Sequence, residues 1–293
     1  MPSAAEEDRD ERTARLLLSC PDQRGLVARV AEFVWGIGGN ITHADQHTDE
    51  QAGVFFQRVE FTMRDVEVSR QELSSRFGSL AAECGMAWRL RYSDDTRRIA
   101  VLVSRHGHCL YDLLARWRAG ELPCEVATII SNWPDHADAA GHFGVPFHEL
   151  PVSADTRESQ ENKLLELLAG YEVELVVLAR YMQILSDRVI APYLNRVINI
   201  HHSFLPAFAG GRPYAQANAR GVKLIGATAH YATGQLDEGP IIDQDVTRVS
   251  HRDSIRDMTR KGRDLETTVL ARAVRAHLTD RILVYGHKTV VFE

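Results

Sequence analysis

The chain has 293 residues, 44% hydrophobic and 25% charged, which is typical of a globular protein with enough apolar side chains for two cores. Its formal net charge is −6, so we expect it to bind neither nucleic acid nor an anionic membrane. Its apolar runs are shorter than the ~18 residues of a membrane helix. Since the four cysteines include no CxxC pair, we expect reduced thiols, a cytoplasmic location, and neither a zinc site nor a disulfide framework.

The first 92 residues predict a small domain behind a short tail. Residues 1–14 are strongly charged and lack the apolar segment of a leader peptide, which indicates a flexible tail. Within residues 15–92, the spacing of apolar positions predicts the element order βαββαβ. This order favours a ferredoxin-like sandwich with both helices on one face of an antiparallel sheet.

A second domain is predicted after a polar linker at residues 93–97. Strand-like and helix-like segments alternate through residues 98–293, which predicts a Rossmann-like, mostly parallel sheet with helices on both faces. The continuous apolar strand VELVVLA, residues 173–179, fits burial on both faces of such a sheet. Ligands of these folds bind beyond the carboxyl ends of the strands, so we expect the functional site at that edge.

The stretch INIHHSF places polar side chains where a buried strand is expected to end. Asn199 and His201 are two residues apart, so they project from the same side of the strand. The next strand, IGATAHYA, leads into a loop with Asp237 at its tip, which can face the histidine. These residue types are suited to assisting attack on a carbonyl carbon. The alternative is that Asn199 and His201 only satisfy buried backbone groups at the strand end.

Two motifs, NIHHSFLPAF and GATAHYATGQLDEGPII, resemble the active site of the enzyme family that transfers or hydrolyses the formyl group of 10-formyltetrahydrofolate. The resemblance implies that Asn199, His201 and Asp237 form the catalytic set. It also implies that the segment LARYMQIL receives the pterin ring of a folate substrate through its backbone, and that a cis peptide bond precedes Pro206. The implied pterin-binding residues are Met182, Gln183, Ile184 and Leu185.

Two departures from the transferase pattern resemble the formyltetrahydrofolate deformylase branch of this family. The first βα loop reads SRHGHCL and has only Gly107, and a glycine-poor loop is poorly suited to hold an acceptor's phosphate. His202 replaces the usual proline after the catalytic histidine, and the N-terminal domain is similar to an amino-acid-binding ACT domain. The branch implies that water replaces the amine, releasing formate and tetrahydrofolate for the one-carbon pool of purine synthesis, without a cofactor or a metal.

Several polar residues near these motifs have two interpretations. His202 points away from His201 if the strand continues through it, and belongs to the water and substrate site if the strand has ended. His106 and His108 either shape the pocket or are exposed loop histidines. Arg212 and the pair at Lys261 and Arg263 either meet the glutamate tail of the folate or are solvated. The helix over residues 257–278 is otherwise predicted to be scaffold.

The ACT-like domain predicts assembly as a homo-dimer or homo-tetramer, because such sandwiches pair between subunits. The same resemblance implies an amino-acid effector, glycine or methionine. The residues predicted for its pocket flank the first helix: Asp22, Gly25, Gly39, Asn40 and Ile41. The alternative is a purely structural dimer, in which the GGNI segment only provides a tight turn.

Two other functions compete with hydrolysis. One is a formyltransferase with an unrecognised amine acceptor, which would share the fold and the catalytic set. The other is a non-catalytic folate or amino-acid sensor, which would have no need to keep Asn199, His201 and Asp237 together. Formate release in the absence of an amine distinguishes the three functions.

Overall fold

The computed structural model describes residues 12–153, 155–206 and 213–293. The predicted tail therefore lies almost entirely outside the described residues. The chain divides into two compact units after Thr96, one residue before the end of the linker predicted at 93–97. Within the described ranges, no helix combines the length and the apolar character needed to cross a membrane.

The first unit has the predicted βαββαβ order. Its four strands form one antiparallel sheet in the order β2–β3–β1–β4. Leu16 of the sheet packs in one apolar core with Val34 and Phe77 of the two helices, and all three are essentially inaccessible to solvent. The predicted ferredoxin-like, ACT-like sandwich is confirmed. Its elements are β1 (Thr13–Pro21), α1 (Leu26–Gly36), β2 (Asn40–Asp49), β3 (Val54–Thr62), α2 (Arg70–Cys84) and β4 (Ala87–Tyr92).

The C-terminal segments group with this first unit, whereas the sequence analysis assigned all of residues 98–293 to the second domain. Residues 280–285 and 290–293 belong to the first unit. The buried Arg58 donates from Nε to the backbone oxygen of Asp280 at 2.9 Å. The Tyr285 ring packs against Phe56, with 4.6 Å between ring centroids. A buried guanidinium needs hydrogen-bond acceptors, and Asp280 supplies one of them to Arg58. The C-terminal segment is therefore a structural part of the small domain.

The second unit contains the predicted Rossmann-like sheet. Its seven strands run in the order β11–β10–β9–β8–β5–β6–β7, with parallel pairing from β9 to β7 and antiparallel pairing of β10 with β9 and β11. The elements from β5 to β9 are β5 (Arg97–Val103), α3 (His108–Arg118), β6 (Cys124–Ser131), α4 (Ala137–Phe143), β7 (Phe147–Glu149), α5 (Arg157–Gly170), β8 (Leu175–Leu178), α6 (Asp187–Ile190) and β9 (Val197–His201). They are followed by α7 (Pro213–Arg220), β10 (Leu224–Tyr231), β11 (Ile241–Arg248), α8 (Ile255–Leu278) and a hairpin of β12 (Ile282–Tyr285) and β13 (Lys288–Val291).

The strand arrangement positions the polar residues of the predicted site. Strand β8 is buried along its whole length and forms the centre of the sheet between β5 and β9. Strand β10 pairs His230 with Asn199 and Thr228 with His201. The carboxyl ends of β5, β8 and β9 therefore share one edge of the sheet, where the loops after them meet.

Candidate active site

A cavity of about 550 Å³ opens at the carboxyl edge of the parallel strands. Its walls come from the loops after β5 and β8, the end of β9, the β10–β11 loop, and helices α7 and α8. The sequence-predicted residues that line it are Met182, Gln183, Ile184, Leu185, Asn199, His201, His202 and Asp237. The structure therefore brings the predicted catalytic set and the predicted pterin-binding residues into one site.

His201 and Asp237 are in direct contact within this cavity. His201 Nδ1 lies 3.2 Å from Asp237 Oδ2, and both side chains are largely buried. The contact with His201, followed by a weaker one with His230, holds the pKa of Asp237 well below its usual range although burial opposes this shift. Asp237 is therefore a carboxylate at neutral pH and places a negative charge beside His201.

The loop that carries Asp237 is shaped by glycines. A Cβ at Gly234 would lie 1.8 Å from the Asp187 carboxylate, and one at Gly239 would lie 1.7 Å from the backbone oxygen of Tyr231. Asp237 itself has φ of +58°, a left-handed conformation uncommon for a residue with a side chain. The close approach of the loop to its surroundings thus requires glycine at two positions and holds Asp237 against His201.

His230 is a site residue that the sequence analysis missed. Its Nδ1 is 3.0 Å from the Tyr231 carbonyl oxygen and therefore donates to it, and its Nε2 lies 3.2 Å from Asn199 Nδ2. This contact fixes the orientation of the Asn199 amide. The sequence does contain a histidine in the strand that follows Asn199. It does not contain the register between the two strands, which decides that His230 faces Asn199.

His201 carries a buried polar atom that has no partner. Its Nε2 makes no hydrogen bond with any of the described residues. An unsatisfied buried nitrogen is costly unless a ligand or water completes it. In a side chain that lines the cavity and is held at Nδ1 by Asp237, this atom is available to a substrate.

His202 lines the cavity because strand β9 ends at His201. Of the two interpretations of His202, the geometry favours the one in which the strand has already ended, since the alternation of side chains applies only within the strand. The two imidazoles stack with 5.1 Å between centroids at an interplanar angle of 25°. Burial, with the charges of Arg180 and His201, lowers the pKa of His202 to about 4, so its ring is neutral near neutral pH.

The predicted pterin-binding segment forms one wall of the cavity, with Met182 and Ile184 more than half exposed and Leu185 buried. Two of its backbone groups are already bonded. The Met182 amide donates to Ser104 Oγ at 2.9 Å, and the Ile184 carbonyl accepts from the Arg157 guanidinium at 2.6 Å. The backbone groups of the remaining predicted residues, Gln183 and Leu185, are therefore better candidates for bonds to a ring edge.

The loop after β5, residues 104–107, is fixed by its neighbours. Ser104 Oγ donates to Asn132 Oδ1 at 2.7 Å, and the Ser104 carbonyl accepts from His136 Nε2 at 2.8 Å. A Cβ at Gly107 would lie 2.6 Å from the His136 ring. His106 and His108 both line the cavity, which favours their interpretation as pocket residues.

Glu266 is the second site residue that the sequence analysis missed. It lies on α8, the helix interpreted as scaffold, yet its carboxylate is buried and lines the cavity. Tyr214 Oη donates to Oε1 at 2.8 Å, and His108 Nε2 lies 2.7 Å from Oε2, which Arg180 Nε approaches at 3.4 Å. Burial alone would raise the pKa of Glu266, but the His108 hydrogen bond and the Arg180 charge outweigh it and lower that pKa. We call these four residues the Glu266 cluster.

The residues considered for the folate glutamate tail differ in their surroundings. Lys261 is engaged with the Asp253 carboxylate at 2.9 Å, whereas Arg263 lines the cavity. Arg212 lies outside the described residues. Of the three, Arg263 is therefore the candidate that the geometry favours.

One group among the described residues has the spacing of metal ligands: His108, Cys109 and Glu266, whose ligand atoms lie within 4.8 Å of one another. The arrangement is unfavourable for a cation. Both Glu266 oxygens are bonded, and the Arg180 guanidinium lies beside them. Burial, together with the Glu266 charge, raises the pKa of the Cys109 thiol far above its usual range, so that the thiol stays protonated.

The residues predicted for an effector site lie at the two ends of α1. Asp22 and Gly25 precede the helix, and Gly39 and Asn40 follow it. Eleven helical residues span about 16 Å, so the two groups do not form one pocket within a subunit. Ile41 packs against the apolar core. A Cβ at Gly39 would lie 2.9 Å from the Val34 side chain, so close packing at the turn explains this glycine.

Comparison with known proteins agrees with this geometry. The Formyl transferase family model matches residues 97–274. A formyltetrahydrofolate deformylase of Synechocystis sp. is 56% identical over 280 residues, covering 96% of this chain and 98% of the relative. One of Escherichia coli K12 is 40% identical, covering 93% and 95%.

Solved structures from two branches of this family superpose on the chain to different extents. A formyltetrahydrofolate deformylase from Pseudomonas syringae superposes with a TM-score of 0.94 and 47% identity, covering 96% of this chain and 95% of that one. A glycinamide ribonucleotide transformylase from Symbiobacterium toebii superposes with a TM-score of 0.66 and 33% identity, covering 70% of this chain and 98% of its own. The chain therefore belongs to the formyl transferase family and, by near full-length similarity, to its formyltetrahydrofolate deformylase branch.

Proposed function

We propose that this protein hydrolyses 10-formyltetrahydrofolate to formate and tetrahydrofolate. The observation that carries the proposal is the contact of ionised Asp237 with His201, whose Nε2 has no partner among the described residues, beside an Asn199 amide oriented by His230. The similarity to deformylases over nearly the whole chain supports the same reaction. We propose Asn199, His201 and Asp237 as the catalytic residues.

The attack of water on the formyl carbon produces a tetrahedral oxyanion. The imidazolium of His201 donates to that oxygen from Nε2, while Asp237 holds Nδ1 and the positive charge in place. The Asn199 amide supplies a second donor. Because these donors are already oriented, they need not reorganise when the negative charge develops. Each such donor typically raises the rate by about a hundredfold or more.

Collapse of this intermediate breaks the bond between the formyl carbon and N10. Asp237 Oδ1, 3.7 Å from His230, accepts a proton from the attacking water and passes it to N10. The formic acid that leaves ionises in solvent. One water is thereby consumed, tetrahydrofolate gains one hydrogen on N10, and formate and one proton are released. None of these steps requires a cofactor or a metal.

The substrate is placed by the other walls of the cavity. We propose that Met182, Gln183, Ile184 and Leu185 contact the pterin ring, and that His202 borders the water next to His201. The neutral ring of His202 can accept a hydrogen bond from water without adding charge. Formate released for purine synthesis is the metabolic role that this reaction supports.

Formate release without an amine tests the proposal. The full-length protein is mixed with 10-formyltetrahydrofolate alone, and formate and tetrahydrofolate are quantified together. Equal amounts of both products are expected. A strict requirement for an amine would assign the protein to the transferases, and tight folate binding without turnover would assign it to folate sensors.

We also propose that the ACT-like domain assembles the protein and binds glycine or methionine between subunits. The separation of Asp22 and Gly25 from Gly39 and Asn40 along α1 supports a pocket that a second copy completes. A ligand shifts the assembly only if it binds one arrangement better than another. Calorimetry with each amino acid, together with the mass of the oligomer, checks this; a monomer, or no heat in either titration, contradicts it.

We place the protein in the cytoplasm as part of this proposal. All four cysteines are free, and Cys20, Cys84 and Cys109 are buried. Unpaired thiols are typical of proteins kept in a reducing compartment. Detection of the protein in a secreted fraction would contradict this location.

A further inference from the structure

Helices α7 and α8 and the β5–α3 loop form a polar wall beside the catalytic residues. The Glu266 cluster ties them together, since Tyr214 lies on α7, His108 begins α3 and Glu266 lies on α8. Neighbouring rings connect this wall to the catalytic histidine. His202 lies 5.1 Å from His201 and 6.2 Å from Tyr214, centroid to centroid. The cluster is therefore adjacent to the reaction and is not used by the proposed mechanism.

Both oxygens of the carboxylate at the centre of this wall are already engaged. Oε1 accepts from Tyr214, and Oε2 is bonded to His108 and lies beside Arg180. The side chain is 1% exposed. An incoming amine would therefore have to compete for these oxygens with donors that are already bonded to them.

The wall is held in place by close packing as well as by hydrogen bonds. A Cβ at Gly262 would lie 1.9 Å from Tyr214 Oη, so a glycine within α8 makes room for this hydroxyl. A glycine inside a helix is less favourable than alanine, and the space for Tyr214 is a physical reason to keep it. On the other side, the β5–α3 loop is fixed by Asn132 and His136.

Resting on the proposed function, we infer that the Glu266 cluster is the specificity device that makes water the acceptor of the formyl group. Its carboxylate lies in the cavity wall with both oxygens already bonded, and so offers an incoming amine no unengaged oxygen. If an amine entered, a new bond would form between its nitrogen and the formyl carbon and the bond to N10 would break. One hydrogen would move from the amine to N10, and no water would be consumed.

The partition of product between formate and a formylated amine tests this inference. Glycinamide is the probe, added at high concentration to the full-length protein with 10-formyltetrahydrofolate, and both products are measured after subtraction of an enzyme-free blank. His108→Ala frees Oε2 and opens space, and we expect the ratio of formylglycinamide to formate to rise about tenfold or more, the range of one lost specificity contact. Tyr214→Phe frees only Oε1 and should give a smaller rise.

A double variant separates the role of charge from that of space. In His108→Ala combined with Glu266→Gln, the freed carboxylate is absent and we expect most of the rise to disappear. Persistence of the full rise would overturn the role assigned to the carboxylate. His142→Ala, an exposed helix histidine distant in sequence from the cavity residues, is the matched control and should keep the wild-type ratio.

The possible failures are distinguishable. If the wild-type protein releases no formate without glycinamide, the proposed function fails. If it does release formate and His108→Ala keeps the wild-type ratio while remaining folded by thermal unfolding, only the inference about the Glu266 cluster fails. Because the readout is a ratio of two products, a simple loss of stability or of total activity does not mimic the expected result.

Discussion

The Asp237 carboxylate is the residue on which the proposed chemistry depends most. It contacts His201 at 3.2 Å and lies on a loop that two glycines hold close to its surroundings. Its lowered pKa identifies the ionised form as the resting state, so at rest it acts on His201 as a negative charge. The pKa thus agrees with an electrostatic role.

Replacing this carboxylate by an amide should abolish most of the activity. We expect Asp237→Asn to lower turnover by about a hundredfold or more, because the variant stabilises neither the imidazolium nor the transferred proton. Steady-state kinetics of formate release checks this. Asp138→Asn, an exposed helix aspartate, is the control and should leave kcat unchanged. Full activity of Asp237→Asn would show that the reaction does not depend on this carboxylate.

His202 should make the protein less stable in mild acid. Its folded pKa of about 4 lies below the ordinary value of about 6.5, so the unfolded chain binds the extra proton as the pH falls below 6.5. Stability is therefore lost between about pH 6.5 and pH 4, and the loss from about pH 7 to pH 5 is up to about 2 kcal/mol.

Urea unfolding at these two pH values measures the contribution of His202. In His202→Gln, the drop in the free energy of unfolding between about pH 7 and pH 5 should be smaller than in the wild type by up to about 2 kcal/mol. His142→Gln, at an exposed position, should keep the wild-type drop. Identical drops in His202→Gln and the wild type would contradict the assigned pKa.

The sequence revealed some site residues more readily than others. Alternation along a strand was sufficient to place Asn199 and His201 on one side, and they meet in the cavity. The sequence left two orientations open for His202, because the direction of its side chain depends on whether the strand ends at His201. His230 and Glu266 were missed because their positions in the site follow from strand register and helix packing, which one sequence does not contain.

At the scale of elements, the β10–β11 loop is the most sensitive part of the site. We expect Gly239→Ala to lower turnover by about a hundredfold, since its Cβ would meet a backbone oxygen and the loop would have to move, and a shift of about 1 Å costs this much in catalysis. Kinetics and thermal unfolding measured together show whether the loss exceeds any loss of stability.

Gly141→Ala is the matched control for this glycine. It lies within helix α4, where a Cβ would have no atom of the described part of the chain within 4 Å. Alanine there should stabilise the helix by about 0.5–1 kcal/mol and leave turnover unchanged. If Gly239→Ala behaved in the same way, the loop would have room that the structure does not show.

Helix α8 shows why an element's role is harder to predict than its existence. Its apolar periodicity predicted a helix, and Val269, Leu270 and Val274 are indeed fully buried. Glu266 could not be recognised from the same periodicity. A single charged residue on the apolar face of an amphipathic helix looks like an ordinary interruption of that face. Only the partners on α3 and α7 give this carboxylate a function.

At the scale of the whole molecule, the order of elements was predictable and the path of the chain's end was not. Alternating βα segments predicted the parallel sheet, and the βαββαβ order predicted the small sandwich. The grouping of residues 280–285 and 290–293 with the first unit has no local signal. It depends on contacts such as Arg58 with Asp280, which join residues more than 200 positions apart.

Arg58 should therefore matter more for stability than its place in a small domain suggests. It is buried and bonded to Asp280 and to the Glu60 carboxylate at 2.8 Å. Arg58→Met should lower the free energy of unfolding by about 3 kcal/mol, because a buried acceptor and a carboxylate lose their donor. Arg76→Met, whose guanidinium is exposed on α2, should change it by less than about 0.5 kcal/mol. Equal effects in urea unfolding would contradict this account.

The most direct test of the central claim follows the oxygen atom of the attacking water. Turnover of 10-formyltetrahydrofolate by the wild-type protein in ¹⁸O-labelled water, without any amine, should yield formate that carries one labelled oxygen, in amounts equal to tetrahydrofolate. Asp237→Asn should slow the appearance of this labelled formate. Formate without the label, or a formylated amine as the only product when an amine is supplied, would contradict hydrolysis at this site.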